Sequence, residues 1–284
     1  MNSKTRRVLL AVDFSYQTAR AAAAHPGLTS RRVFTGGLYG FFTTVSKIVR
    51  ETQATRIVFC KDSKPYVRSQ EYPAYKQLRK KSEDDELLRA VVQTRALVNE
   101  IFEELGIPFW EVPGFEADDL IAHAAIKYRH RYDRIIAASN DSDLFQLLDI
   151  GSFRIYTKSL ATMIDRDVMV VEQKMTPEEF MLATAMTGTH NDVEGIARVG
   201  PVTALKILRD PTKMRATMEV HKELIERNLK LIKLPHPTFP KQTILPPIPQ
   251  PINPRMLYKA LGRYDIDVTK SMIDAFTESL CYER

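Results

Sequence analysis

The sequence contains few of the residues on which several protein classes depend. Two cysteines, Cys60 and Cys281, in 284 residues are too few for a disulfide scaffold, so we expect a reducing, cytoplasmic environment. No apolar run reaches the length of a membrane span. The amino terminus runs through Arg6 and Arg7 directly into a strand-like segment, which predicts that there is no signal peptide. We therefore expect a globular protein without a membrane partner.

The size and composition are ordinary, but the charge is unevenly distributed. The chain is 44% apolar and 27% charged, and its length suits one large domain or two moderate ones. Its formal net charge is +6. Without the eight acids assigned below to one site, 41 basic residues face 27 acidic ones, a net charge of +14. An acidic pocket within a basic surface suits a polyanion held near bound metal.

Two short segments concentrate acidic residues. The segment 114–120 (GFEADDL) and the segment 140–144 (NDSDL) contain five carboxylates among residues expected to be buried. Two carboxylates about 6 Å apart repel by roughly 3 kcal/mol at an effective dielectric constant near 20. Oxygen ligands without a nearby histidine–cysteine pair favour Mg²⁺ or Mn²⁺ over zinc. The alternative interpretation is a solvated acidic surface.

Three apolar runs, each typical of a buried parallel strand, lead into Asp13, Asp62 and Asp141. Residues 153–157 and 168–171 are predicted as a fourth strand and an edge strand, and helix-like segments alternate with the strands. This alternation predicts an α/β fold with a mostly parallel central sheet flanked by helices. Ligands bind at the carboxyl edge of such sheets, which favours one shared acidic site over a solvated surface.

A basic, tyrosine-rich stretch lies between the second strand and a long helix. Residues 61–81 mix lysine and arginine with tyrosine, a composition that suits nucleic acid, although a solvated basic loop is an equal alternative. Ser82 is predicted to cap a helix that ends before Gly106. Its apolar stripe includes Arg95, and we assign that face to the core.

The second part of the chain is predicted to be mainly helical. Thr176 begins a capping box with proline at the first helical position. Glycines punctuate residues 188–200, and a helix follows Pro201, an arrangement that can direct backbone N–H groups at phosphate. Residues 213–233 form a basic helical stretch, and residues 235–254 hold half of the prolines and are predicted to form an extended surface arm.

Taken in order, these motifs resemble the flap endonuclease / 5′→3′ exonuclease family, which includes phage 5′-nucleases and the amino-terminal nuclease domain of bacterial DNA polymerase I. The resemblance extends from Val8 to about Pro240. Any one motif is weak, but together they are specific. The motifs are Val12-Asp13 with Arg20-Ala21, FTGGLYGF (34–41), Asp62, Val67-Arg68, YPAYKQLR (72–79), GFEADD (114–119) and NDSDLFQL (140–147).

The resemblance implies a fold, a site and cofactors. The fold would be PIN-like, with an α/β nuclease domain over residues 1–174, a helical arch at about 61–90, and a DNA-binding region over 175–284 containing a helix–three-turn–helix. Two Mg²⁺ or Mn²⁺ ions would be bound, with K⁺ a further candidate at the turn.

The resemblance also implies the residues of the site. The ion ligands would be Asp13, Asp62, Glu116 and Asp118, with Asp119 nearby, for the first ion and Asp141, Asp143 and Asp192 for the second. Lys76 and Arg79 would contact the scissile phosphate, and the DNA contacts would be Arg20, Arg68, Tyr75, Lys80, Lys81, Gly195, Arg198 and Gly200.

The sequence departs from the family pattern at residues 188–192. Thr189 occupies the position where the family has its first acid, and the segment up to Gly200 is one residue shorter. Assigning Asp192 as the second acid is therefore open, and Asn191 is the alternative. Losing one charge would weaken the second ion site.

The resemblance implies a monomeric phosphodiester hydrolase acting near 5′ ends, nicks or flaps of DNA during replication. An RNA–DNA hybrid is a further candidate substrate, and the cytoplasm of a bacterial or phage-infected cell is the expected location. Two alternatives remain at this point: a structure-specific DNA-binding protein with a degenerate second ion site, and a PIN-type ribonuclease. The basic arch and the glycine turn disfavour the ribonuclease.

Overall fold

The computed structural model describes residues 6–77, 85–157, 163–247 and 251–281. In these ranges the strands are β1 (Val8–Asp13), β2 (Thr29–Ser30), β3 (Val33–Phe34), β4 (Arg56–Cys60), β5 (Phe109–Trp110), β6 (Arg134–Ala138), β7 (Phe153–Tyr156), β8 (Met163–Ile164), β9 (Gly188–Thr189) and β10 (Val193–Glu194). The helices are α1 (Phe14–Ala24), α2 (Gly36–Thr52), α3 (Val67–Glu71), α4 (Asp85–Leu105), α5 (Ala117–Lys127), α6 (Arg166–Gln173), α7 (Pro177–Thr187), α8 (Pro201–Leu208), α9 (Pro211–Ile232), α10 (Pro254–Gly262) and α11 (Lys270–Cys281). A 3₁₀ helix, Ser142–Leu147, follows β6.

The central sheet has six strands in the order β5-β4-β1-β6-β7-β8. β1 pairs in parallel with both β4 and β6, and β8 pairs antiparallel with β7 at the edge. The predicted mostly parallel sheet flanked by helices is thus confirmed. Because β1 lies in the middle, the carboxyl ends of β1, β4 and β6 are neighbours.

The strand β1 is apolar from Val8 to Val12 because it faces a core on each side. Val8, Leu10 and Val12 pack into one core with α1, α2, α4 and α11, whereas Leu9 and Ala11 pack into the other core with α5. Alternate side chains of a strand point to opposite faces, so a strand covered on both faces needs apolar residues at every position. The run ends at Asp13, where the chain reaches the edge of the sheet.

Residues 235–247 form an irregular strap across the α5 face of the sheet, with turns closed by hydrogen bonds from the Phe239 amide to the His236 carbonyl and from the Thr243 amide to the Pro240 carbonyl. Phe239 and Leu245 are buried in the second core. The Arg56 guanidinium donates to the Pro246 carbonyl over 2.7 Å, and the Lys127 ammonium donates to the strap over 2.6 Å. The prediction of an extended surface arm is therefore wrong for residues 235–247, since this segment turns twice and its apolar side chains belong to the core.

The chain returns to the sheet at its carboxyl end. Phe276 of α11 packs against the rings of Phe42, Phe59 and Phe102 in the first core. The helices α7, α8 and α9 share a separate apolar cluster that includes Met186 and Ile225. The predicted division at residue 174 remains a prediction, and α10 and α11 pack with the sheet. None of the described helices has both the length and the apolar composition for a membrane span.

The predicted edge strand at residues 168–171 is wrong, because these residues lie in α6. The side chain of Asp165 accepts a hydrogen bond from the Val168 amide over 3.0 Å and caps the helix. This cap and the burial of Met169 outweigh the β propensity of the valines. The edge strand is β8 instead.

The two predicted ends of α4 have different outcomes. Ser82, the predicted cap of α4, lies outside the described residues, and Gly106 ends α4 with φ +65° as predicted.

Candidate active site at the carboxyl edge of the sheet

A cleft of about 760 Å³ opens at the carboxyl ends of β1, β4 and β6. The strand ends and the start of α5 each deliver acidic residues to it. Five of the eight predicted ion ligands line this cleft: Asp13, Asp62, Glu116, Asp118 and Asp141. Residues far apart in the chain are therefore brought together as the strand topology requires.

Two of these acids also hold the ends of helices. Asp13 caps α1, since its carboxylate accepts a hydrogen bond from the Tyr16 amide over 2.9 Å. Asp62 accepts a hydrogen bond from the Ser15 hydroxyl over 2.6 Å and one from the amide of Ala117, the first residue of α5, over 2.9 Å. Helix amino termini stabilise carboxylates, so both side chains are fixed at the mouth of the cleft.

Glu116 is held by a ring of donors. Its Oε2 accepts hydrogen bonds from the Tyr75 hydroxyl over 2.8 Å and from the Arg68 guanidinium over 3.1 Å. Its Oε1 forms an ion pair with the Lys76 ammonium. These contacts connect residues 68–76, which follow β4, to the acidic helix start.

The electrostatics of the cleft oppose full ionisation of its acids. The pKa of Asp13 and that of Asp143 are both raised to about 7. Burial is the largest cause for each, and neighbouring charges contribute, from Asp62 and Asp141 for Asp13 and from Asp141 for Asp143. Burial also raises the pKa of Asp118 well above its usual value, with neighbouring carboxylates adding to the effect. A positive ion among these groups would remove the repulsion.

The donor set fits a hard divalent cation. All the clustered acids offer oxygen ligands, and Oδ1 of Asp118 is buried without a hydrogen-bond partner. No closed cage of three or more acidic, histidine or cysteine side chains is present in the part of the chain that the structure describes. The residues that would hold an ion are thus collected in one cleft, and their side chains have to adjust to enclose it.

A smaller cavity beside the cleft shows which residue accompanies Asp143. Asp118, Asp143 and Asn191 line it together. Asn191 is 4% exposed, and its Oδ1 is buried without a partner. Asp192 instead has φ +60° and lines a separate groove with Gly195. The structure therefore places Asn191, the alternative left open by the sequence, in the same cavity as Asp143, whereas Asp192 lines the separate groove. The assignment of Asp192 to the second ion stays a prediction, and this geometry favours Asn191 as the neighbour of Asp143.

Three other predicted site residues lie in the interior. Arg68 and Tyr75, predicted to contact DNA, are 3% and 7% exposed. Asp119, predicted to lie near the first ion, is fully buried and forms an ion pair with Arg68 over 2.6 Å. The DNA contacts predicted for Arg68 and Tyr75 stay predictions, and burial disfavours them, because both side chains are directed toward Glu116 and the smaller cavity.

The remaining predicted cations are distributed around the cleft. Lys76 lines both the cleft and the smaller cavity, with φ +58°. Arg20 lies on α1 and interacts with the hydroxyl of Tyr16, a residue of the cleft wall. The other three predicted cations of the arch are outside the described residues: Arg79, Lys80 and Lys81.

Several residues of the cleft wall were missed by the sequence analysis. Arg95 faces the cleft from α4, and its guanidinium donates to the Ser15 carbonyl and to the Thr18 hydroxyl, each over 3.2 Å. Its assignment to the apolar stripe is therefore wrong, and an arginine within such a stripe was the available signal. Asn99 was missed as well, whereas Lys61 and Lys64 of the same wall belong to the basic stretch 61–81 that the sequence linked to nucleic acid. His190 also lines the wall.

The glycine-rich turn is shaped by its backbone. A Cβ on Gly195 would lie 2.1 Å from the Thr187 carbonyl carbon, so only glycine fits there. Gly200 caps α8 and has open space around it, and Arg198 is exposed with φ +65°. The DNA contacts predicted for Gly195, Arg198 and Gly200 remain predictions, and the turn provides an exposed surface for them.

Comparison with known proteins supports the class of nuclease that the sequence motifs resemble. The model of the family "5′-3′ exonuclease, N-terminal resolvase-like domain" matches residues 8–180. A 5′-3′ exonuclease of Aquifex aeolicus is 27% identical over 80% of this chain and 82% of its own length. The thermostable DNA polymerase I of Thermus filiformis is 30% identical over 81% of this chain, which spans only 28% of that polymerase.

Solved structures show the same fold. T5 5′-exonuclease with bound divalent metal ions (zinc) superposes with a TM-score of 0.67, at 19% identity, over 96% of this chain and 98% of that one. The catalytic core of Rad2 in complex with DNA substrate gives a TM-score of 0.55 at 16% identity over 91% and 88%.

The fold and the acidic cleft together define a hydrolytic nuclease, and the predicted class of enzyme is confirmed. The family model matches well over half of the residues of this chain, and the chain therefore belongs to the 5′-3′ exonuclease family.

Proposed function

We propose that the protein is a divalent-metal-dependent, structure-specific 5′-nuclease that hydrolyses phosphodiesters near 5′ ends or flaps of DNA. The observation that carries this proposal is the convergence of Asp13, Asp62, Glu116, Asp118 and Asp141 on one cleft at the sheet edge. The DNA substrate bound to Rad2 and the divalent ions bound to T5 5′-exonuclease support the choice of ligand classes.

In this proposal the acids divide into two groups. Asp13, Asp62, Glu116 and Asp118, which line the cleft, would hold the first ion. Asp141 of the cleft and Asp143 would hold the second ion, with the neutral Asn191 sharing the smaller cavity with Asp143. When bound by these residues, divalent ions would supply an activated water and would stabilise charge on the phosphate and the leaving oxygen.

Lys76 and the other cations of the wall would hold the phosphate. Lys76 lies beside Glu116 at the junction of the two cavities, where its ammonium can reach a phosphate next to the ions. Arg95, Lys61 and Lys64 face the same cleft from other elements. Positive groups placed where charge develops act most strongly on the transition state.

The finer details of the proposal are the ion, the substrate and the assembly. We propose Mg²⁺ or Mn²⁺ as the ions, K⁺ at the glycine turn, flap, nicked or duplex-end DNA as substrate with an RNA–DNA hybrid as a second substrate, and a cytoplasmic monomer. The oxygen donor set of the cleft supports the choice of hard cations.

The test is incubation of the purified protein with a 5′-labelled flap duplex in Mg²⁺, in Mn²⁺ and in EDTA, with product lengths determined on a sequencing gel. Ion-dependent cleavage near the flap junction is expected, and single-stranded RNA should be a poorer substrate. The neutral Asn191 beside Asp143 favours one rival function, a DNA-binding protein with a degenerate second ion site. Tight flap binding without cleavage at any ion concentration would establish that rival.

A further inference from the structure

Arg68 and Asp119 form a buried, two-pronged ion pair. The Arg68 Nη1 lies 2.6 Å from Asp119 Oδ2, and Nη2 lies 2.8 Å from Oδ1. The two side chains are 4% and 0% exposed. Planar pairing of this kind is the strongest form of charged hydrogen bond, and inside a protein it requires nearly every donor and acceptor to be used.

The remaining acceptor capacity of Asp119 is also used. Its Oδ1 accepts a second hydrogen bond, from the His236 amide over 2.7 Å, and its Oδ2 accepts one from the Glu116 amide over 3.1 Å. An ionised carboxylate has about four acceptor positions. All four are occupied by protein donors, so Asp119 has no lone pair directed at an ion.

Arg68 connects three parts of the chain. It lies on α3, and its pairing with Asp119 fixes it to α5. Its Nε donates to the Leu231 carbonyl over 2.7 Å, and its Nη2 donates to the Lys233 carbonyl over 3.1 Å, both at the end of α9. One side chain thus anchors the segment after β4, the acidic helix and the last turn of α9.

The same guanidinium sets the orientation of Glu116. Arg68 and the Tyr75 hydroxyl both donate to Oε2 of Glu116, which leaves Oε1 on the side of Lys76 and the cleft. Glu116 is itself 4% exposed and lines the cleft. Hydrogen-bond partners of this kind fix the orientation of a metal-binding side chain, and their mutation commonly weakens metal affinity by about 10- to 100-fold.

We propose that Arg68 and Asp119 are a positioning pair: Asp119 does not bind an ion, and the pair holds Arg68 so that Glu116 presents one oxygen to the first ion. This inference rests on the proposed function, because it assumes that the cleft binds divalent ions. It separates the two adjacent acids of the GFEADD motif, with Asp118 as a ligand and Asp119 as the partner of Arg68.

The test compares wild type with Arg68→Met combined with Asp119→Leu, a pair of changes that removes both charges together. Replacing both members of a buried ion pair by apolar residues of similar size commonly preserves stability, so the thermal unfolding midpoint should stay within a few degrees. Mn²⁺ binding followed by electron paramagnetic resonance should weaken about 10-fold or more. Turnover should fall at limiting Mn²⁺ and recover as Mn²⁺ is raised, a rescue that general damage to the fold would not give.

Two single variants decide the role of Asp119. Asp118→Asn should lose Mn²⁺ binding at one site, whereas Asp119→Asn should keep the same number of bound ions at reduced affinity. Arg68→Lys keeps the charge but loses the two-pronged geometry, and a loss of affinity several-fold smaller than that of the double variant is expected.

Several results would overturn the inference. Loss of a whole ion equivalent in Asp119→Asn would make Asp119 a ligand. Wild-type Mn²⁺ affinity in a folded double variant would show that the pair has no effect on Glu116. If the double variant does not fold, the same question is answered by the affinities of Arg68→Lys and Asp119→Asn. Failure of wild type to bind Mn²⁺ would instead refute the proposed function on which the inference rests.

Discussion

The acidic cleft and the glycine turn are both predicted to serve DNA cleavage, but they are built on different principles. In the cleft, strand ends and a helix start fix the acids, and side chains such as Asp62 are held by helix amides. In the turn, the backbone is fixed by glycine, and Arg198 lies exposed with φ +65°. Buried carboxylates thus depend on hydrogen-bond partners that are held in place, whereas an exposed arginine depends only on the conformation of its backbone. The two regions should therefore respond differently to mutation.

The largest effect is expected in the cleft. Asp62→Ala removes a proposed ion ligand and the acceptor of the Ala117 amide, so cleavage should fall by about three orders of magnitude, as for loss of a major electrostatic contributor. Flap binding in EDTA, measured by fluorescence anisotropy, should change little. Asp167→Ala, which alters an exposed acid of α6, is the matched control. Normal turnover of Asp62→Ala with Mg²⁺ would refute the assignment.

Lys76 is paired with Glu116 and lines the cleft, where it would contact the phosphate, so its removal should affect the chemical step. Lys76→Ala is expected to slow single-turnover cleavage at saturating DNA by about 100-fold. The dissociation constant for DNA should rise by a much smaller factor. A pure loss of affinity, with an unchanged rate at saturation, would contradict the role given to Lys76.

Charge changes at the adjacent residues 191 and 192 test which of the two belongs to the cleft and which to the region of the glycine turn. Asn191→Asp adds a carboxylate beside Asp143, so Mn²⁺ affinity of the weaker site should rise by about 10-fold. Asp192→Asn alters the separate groove and should leave Mn²⁺ affinity unchanged. Isothermal titration calorimetry measures both. The opposite pattern would return Asp192 to the second site.

In the turn, the effect should be on binding alone. Arg198→Gln should weaken flap binding by about 5-fold and reduce the slope of log affinity against log salt by about 1, as expected for one lost phosphate contact. Cleavage at saturating DNA should match wild type. Titrations at several salt concentrations test this, and an unchanged salt slope would exclude a phosphate contact at Arg198.

The smallest effect concerns the stability of the metal-free protein. Because the pKa of Asp143 is raised to about 7, the folded state holds this proton more tightly than the unfolded state. Its stabilising contribution is complete below about pH 4 and is lost as the pH rises to about 7. Asp143→Asn keeps a neutral side chain, so its melting temperature in EDTA should gain about 8 °C relative to wild type between pH 4 and pH 8. A difference that does not depend on pH would contradict the raised pKa.

Part of the site could be predicted because its signals are local. Apolar runs ending in Asp13, Asp62 and Asp141 identify parallel strands and their edge, and the Thr176 capping box identifies the start of α7. Such patterns follow from strand and helix periodicity and from hydrogen bonds within a few residues. They required no knowledge of which segments lie side by side.

The sequence was sufficient to predict the class of fold, the three strands that end at the cleft and the concentration of acids at that edge of the sheet. It did not show that Arg68 turns inward to Asp119, 51 residues away in the chain, or that Asn191 rather than Asp192 shares a cavity with Asp143. Helix and strand periodicity and helix capping depend on residues that are close in sequence, so they can be recognised from the sequence. The partner of a buried charge depends instead on how distant segments pack, because leaving a buried charged group unpaired costs free energy.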